Sequence, residues 1–242
     1  MSTEHTAAPA IADMSEQMQI RLEKRAKLIE SGREAYPVGL LDSEGNRVEP
    51  NHIEDLRAEY DPKLAAEELK AGDETDRVVH VGGRVVFVRN TGKLCFATLQ
   101  GGTEGKRIQA MLSLAEVGEE SLSEWKSLVD LGDHVFVTGR VIVSRRGELS
   151  IMVTDWKMAS KALRPMPVLH KDLNEETRVR QRYLDLMVRE EARELVKKRA
   201  LITRTVRRVL EDHGYIEVET PVLQLVHGGA TARPFRTHLN AF

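Results

Sequence analysis

The 242-residue sequence is poor in several things, and each shortage excludes a class of protein. It has one cysteine, so a disulfide scaffold is excluded and Cys95 fits a reducing compartment. No uncharged apolar run approaches the ~20 residues of a membrane-spanning helix, and no Lys or Arg precedes Arg21, so neither a membrane span nor a secretory leader is expected. Net charge is almost nil: 36 Lys plus Arg stand against 38 Asp plus Glu, giving −2. Aromatic residues make up only 5%, whereas hydrophobic residues reach 41% and charged residues 31%, the balance of a soluble globular chain. A cytoplasmic protein of one or two domains is expected.

What charge there is lies unevenly. Residues 1–77 sum to −8, residues 78–165 to +3 and residues 166–242 to +3. Arg178 to Arg208 alone sums to +7. Such a stretch is either a phosphate-binding face or a helix whose cations are solvated and salt-bridged, and charge runs on helices more often do the second.

Residues 1–12 have no periodicity and read as a tail, after which helices are expected over 13–76. Asp13 with Glu16 suggests a capping box, and Met18, Leu22, Ala26 and Ile29 recur at helical spacing until Gly32. Asn51 with Glu54 opens a second helix, and Asp61-Pro62 is expected to stop it and start a third that ends near Gly72. At Arg77 the period changes to two: Val79, Val81, Val85 and Phe87 alternate with His80, Arg84 and Val86. Strands over Leu94–Leu99 and Arg107–Leu112 follow, then a helix capped by Ser113 with Glu116, then strands over His134–Ser144 and Glu148–Trp156 around the Arg145-Arg146-Gly147 turn.

Three strands, a helix and two strands is the order of an OB-fold, a five-stranded barrel whose second and third strands face single-stranded nucleic acid or oligosaccharide. Phe96 and Gln109 lie on those strands. A ring there is a stacking platform or a core residue, and an amide there reads a base edge or simply faces water. On the residues alone both alternatives stand.

Pro165 and Pro167 mark residues 161–174 as a linker. Beyond it a helix is expected near Glu175–Met187 and a longer one over Glu190–His213, with Leu195, Ile202, Val206 and Val209 as its apolar stripe and Gly214 after it. Ile216 and Val218 then alternate with Glu217 and Glu219 as a strand ending at Pro221. No metal-ligand spacing, nucleophile elbow or P-loop is present.

Three runs, RVRQRYLDLMV (178–188), GYIEVETPVL (214–223) and HGGATARPFRTHLNAF (227–242), resemble the class II lysyl-tRNA synthetases. GKLCFATLQ, the strand carrying Gln109, RRGELSI and KALRPMP resemble the anticodon-binding barrel of the same family. The resemblance implies an α+β chain: N-terminal helices, a five-stranded OB-fold anticodon-binding domain at 77–160, and at 175–242 the beginning of a class II antiparallel-sheet catalytic domain. It implies that Phe96 stacks on a base of the lysine tRNA anticodon loop, that Gln109 and Glu148 hydrogen-bond the central base, and that Arg89 contacts its neighbours. Gly228, Gly229 and Ala230 resemble the loop against the bound lysine, and Pro221 resembles the motif 1 proline of a homodimer interface. A GGA triplet by itself more often marks an ordinary turn.

Motifs 2 and 3, which hold ATP and Mg2+ in the family, follow none of these runs. The sequence therefore leads to the expectation of an N-terminal portion of a lysine–tRNA ligase that needs ATP and Mg2+ as a whole protein, with no catalytic residue or metal ligand in this chain and no ligase activity alone. Residues 170–242 are expected to expose an apolar surface. A stand-alone nucleic-acid-binding OB protein, a truncated regulatory paralogue, and the related aspartyl or asparaginyl branch are the alternatives.

Overall fold

The computed structural model of the chain describes residues 15–41, 45–102, 104–169, 171, 173–223, 233, 235, 237 and 238. Its centre is a closed barrel of five strands, β1 (Glu74–Thr91), β2 (Leu94–Gly101), β3 (Lys106–Ser113), β4 (His134–Val143) and β5 (Leu149–Ser160), in the order β1-β2-β3-β5-β4. All neighbouring pairs are antiparallel except β3 with β5, where Gln109 to Leu112 run parallel to Ser150 to Val153. Alternation sorts the side chains. Cys95, Ala97 and Leu99 of β2 and Ile108, Ala110 and Leu112 of β3 fill the interior, while Phe96, Gln109 and Met111 stay half-exposed on the outer face. Burial raises the Cys95 thiol above its ordinary pKa, which keeps it protonated and inert.

The period of two does not survive the whole of β1. Val79, Val81 and Val85 point inward as expected, but the register with β2 shifts between Val85 and Phe87, and Phe87 is 54% exposed. Four consecutive apolar residues, Val85 to Val88, cannot all face inward on one strand. The bulge resolves this by burying Val85 and Val86 together and turning Phe87 outward. A second irregularity at Thr138/Gly139 brings β4 so close to β5 that a Cβ on Gly139 would meet the Met152 carbonyl at 2.0 Å. Only glycine fits there.

The helices depart from expectation at their ends. Helix α1 (Glu16–Glu30) starts later than Asp13 suggested, because Ser15 is its N-cap and accepts from the Met18 N–H; Asp13 lies outside the described residues. Gly32, at φ +79°, lets the chain leave it. The two helices expected on either side of Asp61-Pro62 are one, α2 (Ile53–Ala65), with Pro62 inside its last turn, where the missing N–H removes a single intrahelical bond. Asn51 does not cap it: its backbone N–H donates to His80 O and its side chain accepts from the His80 N–H, tying the segment to β1. The single helix expected after Ser113 is two, α3 (Leu114–Val117) and α4 (Glu119–Leu128), divided by Gly118 at φ +81°. Ser113 caps α3 as expected. Helix α4 sends Leu122, Trp125 and Leu128 into the core, where Trp125 meets Trp156 edge to face at 5.1 Å.

Downstream, the expected helix near 175–187 is broken at Gln181 into α5 (Glu175–Arg180) and α6 (Arg182–Val188). Helix α7 runs Glu190–Asp212 and Gly214 follows it at φ +84°. The chain divides into two units at Glu194/Leu195. In the second, Leu195, Ile202, Val206 and Val209 are all exposed, as expected of this stripe, and Arg207 pairs with Glu217 at 3.0 Å. Residues 215–220 form no strand, contrary to the period-two reading, because no ladder partner stands beside them among the described residues.

A buried polar cluster fastens α1 to the barrel. Asp133 is fully buried, accepts from the backbone N–H groups of Ala162 (2.8 Å) and Asp130 (2.7 Å), and meets the ammonium of Lys161 at 2.7 Å. Lys161, itself buried, also donates to Leu128 O and Asp130. Arg21 of α1 donates to Ala162 O and Leu131 O, and Lys24 pairs with Asp130 at 2.5 Å. Every buried charge here has several partners, which is the condition for burying it without a large penalty.

Lys161→Met should therefore destabilise the fold by about 3 kcal/mol, the lower end for a broken buried pair, since Arg21 stays 4.0 Å from Asp133. Burial alone would raise the Asp130 carboxyl, but hydrogen bonds from Lys161 and Lys24 outweigh it and hold it below the usual carboxylate range. Its contribution is present above the ordinary Asp pKa and is lost as pH falls through the lowered folded value. Urea unfolding across acidic pH reads both effects: the acid-side loss should shrink in Lys161→Met.

Candidate nucleic-acid interface

Strand register lays the outer face of the barrel out as two cross-strand rows. Phe87 pairs with Thr98, Thr98 with Gln109, and Gln109 with Ser150; one pleat along, Arg89 pairs with Phe96, Phe96 with Met111, and Met111 with Met152. All of these but the buried Ser150 line an open groove of about 720 Å3, walled at one end by Arg145, Arg146 and Glu148 from the β4–β5 turn. Arg89, Phe96, Gln109 and Glu148, the four residues singled out in the sequence, all face it. Phe96 is thus not a core residue: its neighbours Cys95 and Ala97 take the interior and the ring lies outside, with the Arg89 guanidinium 4.7 Å above it.

Gln109 and Glu148 lie 39 residues apart and meet because β3 and β5 pair. Gln109 Nε2 donates to Glu148 Oε2 at 2.6 Å, and its Oε1 lies 3.3 Å from the hydroxyl of the buried Ser150. The opposite amide orientation would set an oxygen against the carboxylate, so the charge fixes which way Gln109 points. Glu148 is held in turn, its N–H donating to Ser144 Oγ at 3.1 Å. The pair leaves one amide hydrogen and the second carboxylate oxygen facing the groove: a donor beside a charged acceptor.

Sequence reading missed three groove residues. The period of two groups Phe87 with Val85, and Arg145 and Arg146 enter the sequence reading as a turn and as the start of the RRGELSI run, with no site role for any of the three. The unbroken apolar run Val85–Val88 was the available sign of a bulge. Of the other residues named from sequence, Gly228, Gly229 and Ala230 lie outside the described residues, and Pro221 is exposed at the end of the segment that forms no strand. The basic run from Arg178 is in part consumed internally. Asp185, fully buried, takes Arg182 at 2.5 Å, Arg189 at 2.9 Å and Arg178 at 3.7 Å, while Arg180 pairs with Glu176.

Two family models match the chain. Residues 79–159 match the OB-fold nucleic acid binding domain, and residues 174–242 match the tRNA synthetases class II (D, K and N). Residues 174–242 are thus similar to the class II tRNA synthetases. The chain is 56% identical over 230 residues to the lysine–tRNA ligase of Kineococcus radiotolerans, covering 95% of this chain and 43% of that protein. It is 54% identical to the lysine–tRNA ligase of Mycolicibacterium gilvum with the same coverage. It is 49% identical over 236 residues to lysine–tRNA ligase 1 of Mycobacterium tuberculosis strain H37Rv, covering 98% of this chain and 44% of that protein. The chain thus spans less than half the length of these relatives. No described helix is long and apolar enough to cross a membrane.

Three arginines on the groove imply an electrostatic signature. If each meets one phosphate, the logarithm of affinity for a single-stranded RNA loop should fall with the logarithm of salt concentration with a slope of about −2, at about −0.7 per contact. Replacing Arg145 and Arg146 together by Ala should reduce that slope to about −0.7, as read by anisotropy titrations between 50 and 200 mM salt. An unchanged slope would place neither side chain on a phosphate.

Proposed function

We propose that this chain reads the anticodon of lysine tRNA as part of a lysine–tRNA ligase. The observation that carries the reading is the Gln109–Glu148 pair beside the Phe96 ring on an open, arginine-lined face. Its likeness to three lysine–tRNA ligases over nearly its whole length supports the choice of lysine.

The chemistry follows from donors and acceptors. Uracil presents an imino N–H between two carbonyls. Glu148 accepts the imino proton, the free hydrogen of Gln109 Nε2 donates to a neighbouring carbonyl, and Phe96 stacks on the base face. Cytosine sets a ring-nitrogen lone pair against the carboxylate instead, so one hydrogen bond becomes a repulsion. Hydrogen bonds to charged groups are worth roughly 1.5 to 3 kcal/mol, which sets a preference for uridine of about 10- to 100-fold. Arg89 holds the adjacent nucleotides by charge and by its stack on Phe96.

The parent ligase activates lysine with ATP and Mg2+ and passes the lysyl group to the terminal ribose of its tRNA in the cytoplasm. In this reading Gly228, Gly229 and Ala230 line the lysine pocket and Pro221 belongs to the interface of a homodimer. The described residues contain no group of three or more His, Cys, Asp or Glu side chains fit to hold a metal ion, so no step through ATP or Mg2+ is assigned to them.

Fluorescence anisotropy with a lysine anticodon stem-loop, and with the same loop carrying cytosine at the centre, tests the reading. Uridine should bind 10- to 100-fold more tightly, and Phe96→Ala should cost about 1 to 3 kcal/mol, one lost stack. Glu148→Gln should keep binding but lose most of the discrimination, because an amide can turn either its donor or its acceptor to the base. Equal affinity of the unaltered chain for both loops would overturn the proposal.

A further inference from the structure

The most open aromatic ring on the groove is not the one the sequence singled out. Phe96 is half-buried and has the Arg89 guanidinium over it, whereas Phe87 is 54% exposed and, among the described residues, has no ring or guanidinium stacked on it. Single exposed apolar residues are ordinary on protein surfaces. Phe87 differs in two respects: a β-bulge is what turns it outward, breaking the alternation that would have buried it, and it is turned into the groove that holds Phe96, Gln109 and Glu148.

We propose that Phe87 is a second base-stacking platform, so that the groove holds two consecutive unpaired nucleobases, one on Phe96 and its neighbour on Phe87. Phe87 is the cross-strand partner of Thr98, two residues along β2 from Phe96. Such diagonal positions lie about 7 to 8 Å apart on an antiparallel ladder, about twice the 3.4 Å step of a stacked strand. The two rings therefore suit neighbouring bases that have been pulled apart, the condition in which loops of RNA are read by proteins. Arg89 sits on the same strand two residues from Phe87 and across from Phe96, where its charge lies between the two platforms and faces the phosphate that joins the bases. Stacking is indifferent to base identity, so Phe87 adds affinity and fixes the register of the strand, and the Gln109–Glu148 pair remains the group that selects the base.

This inference rests on the reading of the groove as a single-stranded RNA site, and two coupled measurements separate its failure from the failure of that reading. The full chain is titrated by anisotropy with the lysine anticodon stem-loop, with loops made abasic at the central position, and with loops made abasic at either neighbouring position. Phe87→Ala and Phe87→Leu should each weaken binding of the intact loop on the order of tenfold, and Phe87→Trp should restore it. For one neighbouring position, the abasic loop should bind the unaltered chain as weakly as Phe87→Ala binds the intact loop, and combining the two changes should cost nothing further. Thermal melts of the variants should match the unaltered chain, since the ring buries little. Coupling of Phe96→Ala to the central abasic site, with no coupling of Phe87 to either neighbour, overturns the second platform and leaves the reading of the groove intact. Absence of both couplings overturns both.

Discussion

Four residue pairs of parallel ladder, Gln109 to Leu112 against Ser150 to Val153, decide both the fold and the groove. Without them β3 would be an edge strand and the sheet would stay open. With them the barrel closes, Ile108, Ala110 and Leu112 are sealed against Ile151 and Val153, and two polar residues from distant parts of the sequence are set side by side on the outer face. The Gly139 contact belongs to the same constraint. A side chain at that position would push β4 off β5 at Met152, which is itself a residue of the parallel ladder.

The buried Lys161–Asp133–Asp130 cluster works on a different part of the molecule. Its hydrogen bonds run from α1, from the turn before β4 and from the residues immediately after β5. It fixes where the chain leaves the barrel. An apolar core cannot do this, because hydrophobic burial is non-directional and would tolerate several exits. A fully partnered buried charge accepts one arrangement only.

Much of this was legible in the sequence because alternation and turn chemistry act locally. Strands β2 to β5 and their order follow from period-two runs and from Gly92, Gly105 and Gly147 at positive φ in the turns. What escaped depends on competition between local rules. Pro62 stops a helix in isolation, but in the last turn its missing bond is cheaper than giving up the packing of Leu64 against the core. Asn51 is a good N-cap by composition and is used instead to bridge to His80. Phe87 obeyed the period of two until a bulge moved it to the other face. In the groove, strand order puts Gln109 on the binding face and only the family resemblance adds Glu148, because nothing local says that residues 39 apart will share a hydrogen bond.

On the proposed reading, that hydrogen bond is also what lets a shallow, exposed groove discriminate between bases. A free glutamine on a surface strand would sample both amide orientations and pair equally well with a donor or an acceptor, and ordering it on binding would cost side-chain entropy. Here Ser150 and Glu148 order it during folding. The orientation left exposed is a donor beside a charged acceptor, and it cannot be reversed without turning an oxygen toward the carboxylate. A base with the complementary edge meets a surface already arranged for it, and a base with the opposite edge meets a charge that cannot withdraw. On that reading selectivity depends on the same β3–β5 closure that completes the barrel, and any change that loosens that ladder should erode discrimination before it erodes phosphate-driven affinity, which needs only the arginines.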